Sequence, residues 1–502
     1  MPVKGRRHLA LWWLIAAALI GAGVLLLRTS THDVERSATS AGETPMRILT
    51  PSGQPVAPAV VLVHGFSGSA AMVDPLGSAL ARAGHLVVMP DLPGHGTNPR
   101  PLTEGSLEPA IDAAVELAAA RTGQSVAVVG HSMGAGAVTS WALDHAPAAT
   151  VAISLPSAAD LPADPAVPRN LLLLWGSAEQ PRFVTAASEG LARGYPSGVP
   201  GTTYGSFVEG TARRAAAVAG AEHIGILYRA QTAREVQAWL ADTAQGPGLP
   251  SDDRAPAGDW RLLGLLLVLV GGVVAVRPLV SGAVVPAPAG LAPGQPGPRA
   301  PRAWATAGWL VLGILGAGLG AALLPFEDAL PVAVAGYLAT WFAVGAVVLL
   351  LGAWRRGAWR GSVSGLLGGL VAGAILTICV ALPARLTWAG FSLVGPRVAG
   401  LLVLLAVLGA WLWGEGRLLV AARGWRRAAL LALSRALVVA GLLAAVGVLG
   451  APGFLTLTVP LMVPILALLG VVAWWARDPA AGAAAQALPL AVVVATTFPI
   501  IG

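Results

Sequence analysis

Apolar residues follow two different rhythms along this chain. Between residues 46 and 241 they come as short continuous runs, 59–63, 86–89, 125–129, 150–155 and 170–175, most of them running into Gly, Pro, His, Ser or Asp. Continuous runs of that length predict strands of a parallel sheet buried on both faces. The stretches 72–83, 107–121, 135–145 and 224–240 have helical composition, so strand and helix alternate and one α/β domain is expected. Elsewhere the runs are much longer. Residues 9–27 form one, and 262–285, 304–324, 332–351, 365–382, 398–413, 428–449, 455–475 and 488–501 form eight more. Most are long enough to cross a hydrocarbon core of about 30 Å as a helix.

The predicted organisation is an anchor at 1–28, a polar linker at 29–45, the α/β domain at 46–241, a second linker at 242–260, and a polytopic region of about eight helices at 261–502. The Gly, Pro and Asp content of 242–260 carries the second linker. Composition agrees: 55% of the 502 residues are hydrophobic and only 11% charged, which excludes an ordinary soluble protein. The net charge of +7 raises the possibility of a nucleic-acid binder. Its basic residues, however, cluster between apolar runs, where they act as topology signals rather than as a phosphate-binding face, so no nucleic-acid partner is expected. Lys4, Arg6 and Arg7 precede the first run and place the amino terminus in the cytoplasm. That run is longer than a usual signal-peptide core and lacks an A-x-A site before Arg28, so an uncleaved anchor is favoured over a cleaved signal. Either way the α/β domain is expected outside the cytoplasm, at the plasma membrane. The arginine-rich loops support that orientation without fixing the number of spans. The single cysteine, Cys379, provides neither a disulfide framework nor a thiolate metal site. Spans nearly free of central charges argue against an ion or proton relay, with Arg435 expected to snorkel towards a span end.

The candidate chemistry begins at Gly130-His131-Ser132-Met133-Gly134, which follows a valine-rich run and precedes an alanine-rich helical stretch. This is the strand–turn–helix setting of a nucleophile elbow, in which small neighbours leave room for a sharp turn carrying the serine. An activated serine also needs a base, a group that orients the base, and donors for an oxyanion. Glu179 stands just after the run 170–175, at the carboxyl end of a strand where catalytic groups collect in open α/β sheets. Asp160 and Asp164, after the preceding strand, are the alternative acids. The His64-Gly65-Phe66 turn and Met133 offer main-chain N–H groups for the oxyanion. Asp91 and His95 are expected to brace a loop near the site.

In this order, residues 59–68, 90–96, 130–134, 176–179 and the loop around His223 resemble a serine hydrolase of the α/β-hydrolase superfamily. The resemblance covers about residues 46–240. It implies the chain order serine, acid, histidine, which leaves His145 and His223 as possible bases. His145 lies one helix beyond Ser132 and would point away from it, whereas His223 sits in a loop before the last helix. The expected catalytic set is therefore Ser132, His223 and Glu179, with Phe66 and Met133 as oxyanion donors and no metal or organic cofactor. The expected fold class is α/β, an α/β-hydrolase domain with a mostly parallel sheet, joined to an N-terminal transmembrane anchor and a C-terminal all-α polytopic membrane domain. The sequence departs from the family in two places. Only a short proline-rich stretch, 156–169, stands where many relatives insert a helical lid, and 183–220 is expected to form a substrate-facing excursion. The expected activity is hydrolysis of ester-type acyl bonds, with an ester or lipid-like substrate and membrane lipids as partners. Acyl transfer through the same residues remains open, as does a transport or assembly role in which the hydrolase-like domain only binds.

Overall fold

The computed structural model describes residues 3–244, 260–282, 303–324, 326, 328–356, 362–387 and 391–502. Most of the 242–260 linker and the Arg299, Arg302 and Arg360 topology signals lie outside the described residues. The chain divides into two compact units, one made of Met1–Leu26, Leu263–Pro383 and Leu393–Phe498, the other of Leu27–Leu262, Ala384–Ser392 and Pro499–Gly502.

The chain begins with helix α1 (Val3–Thr29) and continues into the second unit through a hairpin, β1 (Glu35–Ala41) and β2 (Thr44–Thr50). There follow β3 (Ala59–Val63), α2 (Ala70–Arg82), β4 (Val87–Pro90), α3 (Glu108–Thr122), β5 (Val126–His131), α4 (Met133–Asp144), β6 (Thr150–Ile153), β7 (Leu171–Gly176), α5 (Pro181–Gly194) and β8 (Arg213–Val218). A 3-10 turn, Gly225–Tyr228, leads into α6 (Ala230–Ala244). The strands form one sheet in the order β1-β2-β4-β3-β5-β6-β7-β8. Pairings β1/β2 and β2/β4 are antiparallel and all others parallel, with Val61 opposite Val128 and Gly130 opposite Ala152.

Successive residues of a strand point to opposite faces, and both faces are filled. Val60 and Leu62 of β3 pack with Met72 and Leu76 of α2 and Val236 and Trp239 of α6. Val61 and Val63 face Ile111 and Ala114 of α3 and Val138 and Trp141 of α4. The apolar runs are continuous for this reason: no face of β3 to β7 meets water.

Three strands, β1, β2 and β8, fall where the pattern predicts none. β1 lies inside the stretch 29–45 expected to be a linker. It is the edge strand, so its Ser, Thr and Glu side chains face outward and leave no apolar signature. β8 lies inside the expected 183–220 excursion and reads Arg-Arg-Ala-Ala-Ala-Val. Its first arginine, Arg213, is fully buried and donates hydrogen bonds to the carbonyls of Gly190, Asp164 and Val167, so a charged residue occupies a core position. The predicted 224–240 helix begins later, at Ala230.

The other unit is all helical. Besides α1 it contains α7 (Arg261–Val280), α8 (Ala303–Leu323), α9 (Ala335–Arg355), α10 (Val363–Thr387), α11 (Pro396–Leu419), α12 (Gly424–Val448), α13 (Leu455–Trp475) and α14 (Pro479–Thr497). Among the described residues nine helices are long and apolar enough to cross a membrane, which marks a membrane protein. Glycines bring α1 and α7 together: a Cβ at Gly23 would meet the Gly264 carbonyl at 2.6 Å, and one at Gly271 would meet Ile20 at 2.7 Å. Helix α11 runs six residues past the apolar run that predicted it and so includes Glu415. The expectation for Arg435 is corrected. It does not reach out to a span end; its guanidinium is buried against Glu415, at 2.8 and 3.0 Å, and bonds Gln486 of α14 at 2.8 Å.

Candidate active site

Strand β5 ends at His131, and Ser132 turns the chain into α4 with φ 55° and ψ −117°. A non-glycine residue with positive φ is strained and needs support from its surroundings. The support comes from two close approaches that only glycine permits. A Cβ on Gly130 would stand 2.1 Å from the Gly134 carbonyl oxygen, and one on Gly134 would stand 2.5 Å from the carbonyl oxygens of Val63 and His64. The Ser132 N–H donates to the Ile153 carbonyl at 2.9 Å, fastening the turn to the neighbouring strand.

The structure brings Ser132, His223 and Glu179 together. Ser132 Oγ lies 3.0 Å from His223 Nε2, and His223 Nδ1 lies 2.6 Å from Glu179 Oε1. Glu179 is supplied by the turn after β7, where its second oxygen accepts the Gly176 N–H at 2.8 Å. Its side chain is fully buried and that of His223 nearly so. A carboxylate on Nδ1 stabilises the tautomer that carries its proton there, which leaves the Nε2 lone pair directed at the serine hydroxyl. Asp160 and Asp164 are exposed, and Asp164 Oδ1 instead accepts the Ala166 N–H at 2.9 Å. His145 is stacked on Trp141 at 4.1 Å at the far end of α4.

The loop carrying His223 lies between β8 and the 3-10 turn and is held at several points. The Ala178 N–H donates to the Ala221 carbonyl at 2.9 Å, and the Glu222 carboxylate accepts the Ile224 N–H at 3.0 Å. Two contacts had no counterpart in the sequence reading. The Phe183 ring stacks on the His223 imidazole at 4.4 Å, and His131 Nε2 lies 2.8 Å from the His223 carbonyl oxygen. A signal for His131 was present in its place inside the Gly130 to Gly134 motif. Phe183, four residues after Glu179, offered only an apolar side chain in the first turn of a helix.

On the other side of the elbow, the turn after β3 presses against Ser132. A Cβ at Gly65 would be 3.0 Å from Ser132 Cβ, so Phe66, the next residue, sits beside the nucleophile. Met133 opens α4, where the first N–H groups have no acceptor within the helix. Behind this turn His64 receives the Leu92 N–H on Nε2 at 3.1 Å and donates from Nδ1 to the Gly65 carbonyl at 2.8 Å. That arrangement requires a neutral ring, in keeping with burial, which lowers its pKa. Burial also pushes His131 down, to about 3. Asp91 braces the adjoining loop by accepting the Ala70 N–H and the Thr97 N–H and hydroxyl, each at 2.8 Å. Among the described residues no group of three His, Cys, Asp or Glu side chains is placed to hold a metal.

A nucleophile elbow on a mostly parallel eight-stranded sheet defines an α/β-hydrolase fold, here joined to apolar helices. Residues 58–177 match the model of the family described as alpha/beta hydrolase fold. The chain is 32% identical over 135 residues to the thermostable monoacylglycerol lipase of Bacillus sp. (strain H-257), covering 26% of this chain and 51% of that protein. It thus spans about half the length of the curated relative it matches. Solved structures similar to it include TT1662 from Thermus thermophilus, at 21% identity and TM-score 0.33, which covers 42% of this chain and 99% of its own. XC6422 from Xanthomonas campestris, described as a serine hydrolase without lid, is 16% identical with TM-score 0.30 and covers 41% of this chain and 95% of its own.

Proposed function

We propose that the protein is a membrane-anchored serine hydrolase that cleaves ester-type acyl bonds on the outer side of the cell membrane. The observation that carries this reading is the unbroken hydrogen-bonded line from Ser132 through His223 to Glu179. His223 Nε2 takes the Ser132 proton as Oγ attacks the acyl carbon, and Glu179 stabilises the imidazolium that forms. The N–H groups of Met133 and Phe66 stabilise the oxyanion. His223 returns the proton to the departing alcohol oxygen, leaving an acyl-serine. Water then attacks that ester, again giving its proton to His223, and the acid leaves as Ser132 recovers its hydrogen. The lipase relative, together with the membrane helices, favours a lipid or lipid-like ester as substrate.

Charge supports the orientation. If all nine helices cross, the ends on the amino-terminal side carry Arg277, Arg355 and Arg356, Arg417, Arg423, Arg426 and Arg427, and Arg477, in addition to Lys4, Arg6 and Arg7. The opposite ends and the chain next to them carry fewer, Arg28, Arg254, Arg261, Arg385 and Arg397, together with Asp259, Glu327 and Asp328. Basic ends stay in the cytoplasm, which leaves the hydrolase unit outside.

The test is labelling of the full-length protein, purified in detergent, with a fluorophosphonate probe. Wild type is expected to label, and Ser132→Ala and His223→Ala are expected not to. A folded wild-type protein that does not label would overturn the reading.

A further inference from the structure

We propose that His131 is a positioning residue for the catalytic base, holding the main chain of His223 so that its imidazole meets Ser132. This rests on the hydrolase reading above and assigns a role to a side chain that the mechanism leaves unused. His131 is the last residue of β5 and is 1% exposed. It is bonded directly to the nucleophile's residue, so its place is set by the same strand end and the same strained turn. Its Nε2–H donates to the His223 carbonyl at 2.8 Å, across 92 residues of sequence, and the two rings lie 4.9 Å apart. His223 itself belongs to no helix or strand. One strand end therefore places both reacting groups, the hydroxyl through the chain and the imidazole through this hydrogen bond.

The other ring nitrogen supports a specific purpose over simple packing. His131 Nδ1 is buried with no hydrogen-bond partner, and the missing side chain of Gly65 leaves it its space, a Cβ there standing only 3.1 Å away. A leucine would fill such a position without leaving a lone pair unmet. What the imidazole offers is a rigid donor that carries no charge. Neutrality matters because a cation at this distance would oppose the imidazolium that His223 must become. Burial keeps the ring neutral. The titratable groups facing the pair are Glu179 on His223 and His64 near His131.

The experiment compares wild type, His131→Gln and His131→Leu as full-length protein, reading the fluorophosphonate labelling rate, the hydrolysis of p-nitrophenyl butyrate across pH, and near-UV circular dichroism. Glutamine places an amide N–H where the imidazole has Nε2–H, and leucine has no donor. His131→Leu is expected to lower kcat by about 10²-fold with little change in KM, the scale of a misplaced reacting group, and His131→Gln to recover most of it. The acid limb of the kcat/KM profile should move in the leucine variant and return with glutamine. Wild-type kcat and pH profile in His131→Leu would overturn the proposal, and so would two variants impaired equally and only in proportion to lost folding. If wild type itself fails to label, the hydrolase reading fails. If wild type labels and His131→Leu matches it, only the positioning role fails.

Discussion

Glu179 and Glu415 are both buried carboxylates facing a nitrogen cation or base, yet they sit in units of opposite character. Glu179 shares its oxygens between the His223 Nδ1 and one backbone N–H. Its partner is an imidazole, a side chain that can take a proton from a hydroxyl and give it back within one reaction. Glu415 is engaged by the two terminal guanidinium nitrogens of Arg435 and by the Ser434 hydroxyl, and Arg435 continues to Gln486, which donates to the Gly482 carbonyl at 2.8 Å. Arginine does not release its proton in proteins. The Glu415 cluster therefore joins α11, α12 and α14 without moving charge, whereas the proposed reaction moves it through the Glu179 pair. A buried carboxylate gains chemistry from the titratability of its partner, and from an opening on which a third group can act. Burial by itself provides neither.

Removing one oxygen's charge from each site should separate the two roles most widely. Glu179→Gln, in which either the Gly176 or the His223 contact must be given up, is expected to lower kcat for ester hydrolysis by about 10⁴-fold, as loss of the orienting carboxylate does in serine hydrolases. Glu415→Gln is expected to leave that kcat unchanged. A comparable loss in both variants would erase the distinction drawn between the sites.

Stability should show the reverse pattern. Arg435→Met leaves Glu415 buried without its cation and is expected to cost about 3–5 kcal/mol, whereas the double variant Arg435→Met, Glu415→Leu should recover much of that loss. Thermal unfolding of the detergent-solubilised protein, followed by tryptophan fluorescence, measures both. A double variant as unstable as the single would mean that the pair itself, rather than the stranded charge, carries the stability.

Acid should weaken the hydrolase unit first. His64, His85 and His131 all have pKa values lowered by burial. The unfolded chain, with histidines near 6.5, then binds more protons than the native one. Stability is therefore full above about pH 6.5 and falls as pH drops towards the folded values, at up to about 1.4 kcal/mol per pH unit for each histidine. Asp74, in the same unit, acts only at lower pH. Burial opposes its ionisation, but Arg261, Arg36 and Arg47 outweigh burial and hold its carboxyl below the usual range. Its contribution is present above about pH 4 and is lost below that. Unfolding midpoints between pH 7 and pH 5 check the histidine effect, and His131→Gln should reduce the slope. A midpoint independent of pH across that window would contradict it.

The smallest effects belong to the alternative acids. Asp160→Asn and Asp164→Asn are exposed changes and should alter stability by no more than about 0.5 kcal/mol and leave kcat at the wild-type level. A large fall in kcat for either would point to an acid other than Glu179.

How far the sequence could be read follows from the range of each interaction. Strands β3 to β7 were legible because burial on both faces demands an unbroken apolar run. Ser132 was legible because its turn needs local glycines. Glu179 was legible from its place after a strand end, and His223 from its loop before the last helix and its order after Ser132. β1 escaped because an edge strand exposes one face and takes its hydrogen bonds from a neighbour, which polar residues serve equally well. β8 escaped because its core position is filled by the stem of Arg213, whose charge is satisfied by carbonyls from three separate segments.

The sequence by itself determined the alternation of strand and helix, the run of long apolar helices and the identity of the residues available for chemistry, since these depend on local composition and short-range turns. Only the tertiary structure decided that Glu179 rather than Asp160 or Asp164 meets His223, that His131 grips the carbonyl of the base, and that Arg435 faces Glu415. Each of those pairings is made by groups distant in the chain, and which distant groups meet is settled by the packing of the whole core.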